Sequence, residues 1–197
     1  MTIRTSLFAA TALALTSTLH AGSFLRPYAA YVNPSAEGYS DAAAVGFAAG
    51  IQSGAQDQHE IGFDWSYTEY DSEVRIGAFV ATGTEKYMPC LASYRFLFGT
   101  KENKARVYVG PSLGFTNIRA SASVVGPGIA VSGSDSAWAA TAAGSAGALV
   151  ALTDKIALDV GYRFTRVGAA EVKVAGLRAE VGDVNVHSMY AGVSFRF

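Results

Sequence analysis

The stretch that decides the fold is the end of the chain, NVHSMYAGVSFRF, residues 185–197. Counting back from Phe197 by twos gives a mostly apolar set of positions that includes Val193 and Phe195. The positions between them, Arg196 among them, are polar or small. Alternation at period two indicates a strand with one apolar face. A length of about 9–11 residues is typical of a strand that crosses a membrane.

Seven earlier segments repeat this alternation. In residues 156–166, Ile156 and Leu158 fall on one face, whereas Asp159 and Arg163 fall on the other. The second face is mostly Gly, Ala and Ser with a few opposed charges, which suits the crowded interior of a small barrel. We therefore predict an all-β fold, an eight-stranded antiparallel transmembrane β-barrel of the up-and-down type. The predicted strands are residues 24–32, 43–52, 59–70, 85–98, 106–118, 137–152, 156–166 and 185–197.

The composition agrees with a membrane location. The 197 residues are 50% hydrophobic and 16% charged, against roughly 25% charged in an ordinary soluble domain. Lys and Arg number 15 and Asp and Glu 16, so no basic surface is available for nucleic acid. The single cysteine excludes an internal disulfide and paired-cysteine zinc motifs, and we predict no cofactor or metal. A soluble periplasmic β-sandwich stays open as the alternative, although it would show mostly polar residues to water.

The N-terminus has the three regions of a secretory signal peptide. Arg4 precedes an apolar stretch over residues 7–15, and small and polar residues follow up to Ala21. That stretch is shorter than the about 20 residues a membrane-spanning helix needs. We predict a cleaved signal peptide over residues 1–21 and the barrel domain over residues 22–197.

The predicted connections alternate between short and long. Short turns over residues 53–58, 99–104 and 153–155 are expected on the periplasmic side together with both barrel termini, and long loops on the outer side. We expect residues 71–84 to extend their strands beyond the membrane, 119–136 to form a mobile loop, and 167–184 to extend their strands. A ten-stranded alternative would make a hairpin of residues 73–81. The four long loops are residues 33–42, 71–84, 119–136 and 167–184.

Three segments carry a family resemblance. The stretches LTDKIALDVGYRFTRVG (152–168), YRFLFGTKENKARVYVGPSLGF (94–115) and the terminal YAGVSFRF resemble the OmpA-like, opacity-protein-type family of small outer-membrane β-barrels. The resemblance implies the outer membrane of a Gram-negative-type bacterium. It also implies that Phe197 and Phe195 form a signal for the barrel-assembly machinery. A peptidoglycan-binding domain, which some members carry, is not expected after Phe197.

Charged residues at inward positions are the predicted lumen network. Unpaired charges in a narrow lumen would be costly, so we expect carboxylates and arginines to pair there and to plug the barrel. Aromatic side chains prefer the headgroup level of a membrane. The predicted girdle residues are Trp65, Trp138, Tyr67, Tyr162 and Tyr28. The predicted lumen network is Arg26, Glu60, Asp64, Arg95, Arg106, Asp159, Arg163 and Arg196.

Histidine suggests one enzymatic hypothesis, because lipid A deacylases and acyltransferases are small barrels with a His/Ser site. His187 is predicted on the lipid face near the outer rim, with His59 at the opposite rim. Nucleophilic ester cleavage needs a serine within hydrogen-bond reach and a third orienting group. Ser188 points to the other face, and Met189 is the neighbour on the same face. We therefore predict no enzymatic activity.

The function that the sequence favours is a structural or surface-interaction role through the long loops, because binding residues concentrate on loops held by a rigid scaffold. The alternative is a narrow channel or a conduit for small or hydrophobic molecules. A lipid A-modifying enzyme is the hypothesis that the residues favour least. Expected partners are outer-membrane lipid and lipopolysaccharide, the barrel-assembly machinery and an extracellular ligand at the four loops. The protein is expected to be a monomer.

Overall fold

The computed structural model describes residues 22–35, 40–76, 79–127, 129–174, 177–181 and 183–197. The predicted signal peptide, residues 1–21, lies outside these residues. The described part contains no helix with the length and apolar character needed to cross a membrane. The described strands are β1 Ser23–Pro34, β2 Ala42–Ser53, β3 His59–Ile76, β4 Phe79–Leu97, β5 Ala105–Gly126, β6 Ile129–Ala151, β7 Ile156–Val167, β8 Ala170–Val174, β9 Leu177–Val181 and β10 Val184–Arg196.

Eight of these strands close into a barrel in the order β1-β10-β7-β6-β5-β4-β3-β2. Closure joins the first and last strands of the barrel: β1 pairs with β10 so that Leu25 lies opposite Phe195. The N–H of Gly22 donates to the carbonyl of Phe197 at 2.8 Å. A closed barrel satisfies its backbone groups internally, as a membrane requires. The predicted eight-stranded antiparallel barrel is confirmed.

The two ends of the barrel differ. The terminal end carries Gly22, where the described chain begins, Phe197, and the short turns around residues 54–58, 98–104 and 152–155. At the other end, called the extended end, β3, β4, β5 and β6 run on. These four strands have 18, 19, 22 and 23 residues, against 12 or 13 in β1, β2, β7 and β10. Their portions beyond the barrel wall, residues 69–76, 79–86, 119–126 and 129–136, form a four-stranded sheet called the extension.

The extension confirms one loop prediction and corrects another. Pairing of β3 with β4 continues to Ile76 opposite Phe79, so residues 71–84 do extend their strands. Residues 119–136, predicted as a mobile loop, instead pair to Gly126 opposite Ile129. The reason is that β5 and β6 are already in register within the barrel. Further pairing adds ladder bonds without closing a new loop.

Residues 167–184 also differ from the prediction. The sequence predicts that they extend β7 and β10, but β8 and β9 form a separate two-stranded sheet. The pairing of β7 with β10 stops at Val167 opposite Val184. The N–H of Gly168 then donates to the carbonyl of Ala140 on β6 at 2.8 Å, which turns the chain away from β10. The two strands outside the barrel are therefore β8 and β9, and not a hairpin at residues 73–81.

The barrel wall has an apolar outside and a polar inside. On β5, Val107, Leu113 and Phe115 are exposed, whereas Tyr108 and Thr116, at positions of the other parity, are buried in the lumen. A soluble sandwich would bury the apolar set, so this arrangement excludes that alternative. The outside has the character expected of a surface that faces lipid.

Candidate functional site

The lumen nearer the terminal end is filled by an ion-pair network. Nη2 of Arg26 donates to both carboxylate oxygens of Glu60, at 2.9 and 3.1 Å. Nε of Arg26 lies 3.0 Å from Oδ2 of Asp159, and Nη1 of Arg95 donates to the same oxygen at 2.8 Å. All four side chains are buried. Each carboxylate therefore has a cationic partner, as the cost of a buried charge demands.

Tyrosines complete this layer. The Tyr108 hydroxyl donates to Oδ1 of Asp159 at 2.6 Å and lies 2.5 Å from the Tyr190 hydroxyl. The Arg95 guanidinium lies 4.5 Å from the centre of the Tyr108 ring, within the range of a cation–π contact. The network is thus both charge-paired and hydrogen-bonded.

A second layer lies nearer the extended end. Arg163 binds Asp64 in a bidentate manner, with Nη1 to Oδ1 at 2.9 Å and Nη2 to Oδ2 at 2.6 Å. The Tyr28 hydroxyl donates to Oδ1 of Asp64 at 2.7 Å. Tyr28 is buried here, so its predicted place in the membrane girdle is wrong. Its phase is ambiguous in the sequence because Ala29 and Ala30 beside it suit either face.

The remaining two residues of the predicted lumen network lie at the terminal end, outside both layers. Nη2 of Arg106 donates to the backbone carbonyls of Gln56 and Asp57, at 3.1 and 2.9 Å, and so holds the turn after β2. Arg196 is half-buried and forms no ion pair with any described residue. The structure therefore brings six of the eight residues into two carboxylate-bearing layers.

Tyr108 and Tyr190 lie on the inward face, as the alternation of their strands predicts, but the predicted lumen network did not include them. Their signal is glycine on the neighbouring strands: a Cβ added at Gly161 would lie 2.5 Å from the hydroxyl of Tyr108 and 2.6 Å from that of Tyr190. A Cβ added at Gly147 would also clash with the Tyr108 hydroxyl. These glycines leave the space that the tyrosine side chains occupy.

Beyond the second layer, towards the extended end, the lumen holds a cavity of about 60 Å³. Its wall is largely apolar and includes Val32, Leu91 and Val186, while Arg163 and Ser188 also border it. A volume of this size holds a few water molecules. With both layers buried, the lumen in the described residues resembles a plugged barrel more than an open channel.

The histidines do not assemble a nucleophilic site in the described residues. Nδ1 of His187 is hydrogen-bonded to the Tyr162 hydroxyl on the outer wall, and its ring lies 5.3 Å from that of Phe164. Ser188 borders the lumen cavity instead. Nδ1 of His59 lies 2.9 Å from the Tyr94 hydroxyl, at the other end of the barrel. Both histidines thus pair with tyrosines on the wall.

Six hydroxyl side chains lie on the outward face of the extension beyond the level of Ser136, and we call them the hydroxyl array. Thr84 Oγ1 donates to Asp71 Oδ1 at 2.8 Å, and Ser121 Oγ donates to the carbonyl of Thr84 at 3.3 Å. The other four hydroxyls make no hydrogen bond within the described part of the chain. The array consists of two rows across β4, β5 and β6, Thr82–Ser123–Ser132 and Thr84–Ser121–Ser134.

Residues 5–197 match the sequence model of the outer membrane protein beta-barrel domain. The chain belongs to this family. Membership places the protein in the outer membrane and agrees with the plugged lumen and the apolar outer wall. No curated protein sequence matches the chain significantly.

Solved outer-membrane barrels share the fold. Neisserial surface protein A is 21% identical with a TM-score of 0.57, and the alignment covers 89% of this chain and 97% of that one. A major outer membrane protein from Thermus thermophilus is 10% identical with a TM-score of 0.55, covering 90% and 100%. Ail, the attachment invasion locus protein of Yersinia pestis, is 16% identical with a TM-score of 0.52, covering 91% and 100%. At these sequence identities, the similarity shows that the proteins share a fold.

Proposed function

We propose that this outer-membrane barrel is a surface-interaction protein that binds its partners through the extension. The supporting observation is the difference in strand length: β3 to β6 have 18 to 23 residues, whereas a tilted strand crosses a membrane in about 9–11 residues. The surplus forms a regular sheet instead of loose loops. A rigid sheet loses little conformational entropy when it binds.

The proposal includes an orientation. The terminal end, with its short turns, faces the periplasm, and the extension faces the exterior, as in barrels that combine short periplasmic turns with long outer segments. Phe197 and Phe195 would then present the assembly signal on the periplasmic side. The ligand would bind to the extension and to the sheet of β8 and β9. The protein would act as a monomer and would have no enzymatic activity.

Surface labelling tests the orientation. In a Cys90→Ser background, Ser134→Cys on the extension should react with a membrane-impermeant maleimide on intact cells. The matched variant Thr153→Cys, at the terminal end, should react only after the cells are lysed. The opposite pattern would overturn the orientation and with it the proposed role.

An adhesion assay tests the role itself. Ail is named as an attachment invasion locus protein, so the assay measures attachment to an epithelial cell monolayer. Cells that express the barrel should adhere more than cells without it, and a variant with residues 120–135 replaced by Asn-Gly should lose this gain while still folding. Equal adhesion of the trimmed variant would contradict a role for the extension.

The lumen cavity supports a second candidate, a narrow channel or a conduit for small or hydrophobic molecules. Its largely apolar wall borders the Arg163 layer, so a conduit would require that layer to open. Single-channel recording separates the two functions: the surface-interaction role predicts no steady unitary current. A current that changes in size in Arg163→Gln would favour the conduit.

A further inference from the structure

The outward face of the long strands β4, β5 and β6 changes from apolar to polar in an ordered way towards the extended end. In the barrel, Phe115 lies opposite Cys90 and Ala140, and this level is apolar. One step towards the extended end, Asn117 lies opposite the exposed ring of Trp138. Tryptophan prefers the boundary between hydrocarbon and water, so this level marks the edge of the hydrocarbon layer.

The next level is charged. Lys86 lies opposite Arg119, and Arg119 lies opposite Ser136. Nζ of Lys86 is 3.4 Å from Oε2 of Glu69 on β3, and Nε of Arg119 donates to Oδ1 of Asn117 at 3.2 Å. Long cationic side chains at this depth suit the headgroup region of a membrane. The two rows of the hydroxyl array follow directly above.

The height of the hydroxyl array above the membrane determines which headgroups can reach it. Two residues along a strand advance about 6.7 Å, or about 5 Å in height at the usual barrel tilt. The two rows therefore lie roughly 5 and 10 Å above the charged level. A headgroup layer adds only about 5–8 Å on each side of the hydrocarbon. The upper row thus lies beyond the reach of an ordinary phospholipid headgroup.

We propose that this face binds the saccharide part of a phosphorylated glycolipid in the same leaflet, with its phosphate at Lys86 and Arg119 and its sugars on the hydroxyl array. This inference rests on the proposed orientation and names a partner for the extension. The face continues the lipid-contacting wall without a break, so a lipid anchored beside β5 extends its headgroup along it.

The chemistry of the array suits sugars. Ser and Thr hydroxyls both donate and accept hydrogen bonds, as sugar hydroxyls do, and Asp71 at the edge of the array adds a carboxylate acceptor. The strands that carry neighbouring residues of a row lie about 4.8 Å apart. A flat grid without large side chains lets a saccharide approach several hydroxyls together. The exposed Trp138 ring lies below it at the membrane boundary.

Binding to the purified, folded barrel in nanodiscs tests the proposal without depending on orientation in cells. The probes are lipopolysaccharide with a complete core saccharide, lipid A without core sugars, and phospholipid alone. The sensor is the emission of Trp138 in a Trp65→Phe background, where it is the only remaining one of the two tryptophans. Wild type should bind the complete glycolipid at least tenfold more tightly than lipid A.

The array variant combines Ser121→Ala, Ser123→Ala, Ser132→Ala and Ser134→Ala. It should lose at least tenfold in affinity for the complete glycolipid and keep its affinity for lipid A. The control Ser53→Ala, at the terminal end, should bind like wild type. Unchanged heat-modified gel mobility shows that each variant is folded.

Three results would overturn the inference. One is equal binding of the complete glycolipid by wild type and array variant. Another is equal affinity of wild type for lipid A and complete glycolipid, with a loss only in Lys86→Gln/Arg119→Gln, because phosphate alone would then be recognised. The third is equally tight binding of the free core saccharide, which would remove the lipid anchor from the proposal. None of these depends on the labelling experiment, so the orientation and the ligand can fail separately.

Discussion

The lumen and the extension belong to the same barrel but use polar side chains in opposite ways. In the lumen, Arg163 and Asp64 are buried and bound to each other through two short hydrogen bonds. On the extension, Ser123 and Ser132 are water-accessible and have no partner in the described chain. Buried polar groups must be paired, whereas exposed ones are already satisfied by water. Each charged group of the lumen therefore needs its partner, whereas the hydroxyls of the extension are available for the proposed binding.

Removing one partner of a lumen pair should have the largest effect. Asp64→Ala leaves Arg163 buried without its carboxylate, so we expect a loss of about 3–5 kcal/mol in the free energy of unfolding. Urea unfolding in detergent, followed by the gel-mobility shift, measures it. The matched control on the extension, Asp71→Ala, should change stability by no more than about 0.5 kcal/mol. Similar losses of unfolding free energy in both variants would contradict the difference between the lumen and the extension.

Replacing both Asp64 and Arg163 tests whether the ion pair itself stabilises the barrel. Asp64→Leu combined with Arg163→Met removes the buried charges together, and such replacements are often neutral or stabilising. We expect the double variant to recover most of the stability that Asp64→Ala loses. If it does not, the pair itself, rather than the cost of an unpaired charge, stabilises the barrel.

Packing around the lumen tyrosines should have an intermediate effect. Gly161→Ala places a Cβ 2.5 Å from the Tyr108 hydroxyl, and overpacking of this kind costs about 1–3 kcal/mol. Gly144→Ala is the matched control on β6, because no atom lies within 4 Å of the added Cβ. Unfolding midpoints in the same detergent should fall for Gly161→Ala and stay near wild type for Gly144→Ala.

The smallest effect is expected where β1 ends and β2 begins, around Asp41. The Tyr31 hydroxyl and the Asn33 amide donate to the Asp41 carboxylate, and these bonds, Tyr31 first, lower the pKa of Asp41. Because the folded pKa is depressed, the stabilisation is complete above the ordinary pKa of about 3.9 and is lost as the pH falls through the folded value. An NMR titration of the carboxyl should show its pKa rise in Tyr31→Phe and rise less in Asn33→Ala. No change in Tyr31→Phe would contradict this interpretation.

Much of the barrel could be predicted because alternation along a strand is a local property. The parity of Asp159 and Arg163 on β7 follows from neighbouring residues in the sequence. Their partners do not: Arg163 meets Asp64, 99 residues away, through the closure of the barrel. The predicted phase of Tyr28 is wrong because alanines beside it suit either face. The loop prediction for residues 119–136 is wrong because small residues are typical of loops, yet pairing already begun in the barrel carries them into a sheet.

For most positions of the barrel strands, though not for Tyr28, the sequence by itself determined which side chains face outward and which face inward, because the two-residue period of a strand does not depend on the rest of the fold. It favoured eight strands in the barrel over ten, and the structure decided between the two counts. Only the tertiary structure decided which carboxylate meets which arginine, and where β7 and β10 separate. It alone brought Ser and Thr residues from β4, β5 and β6 into two rows. Contacts between strands depend on register and closure, which pairing across the whole barrel sets.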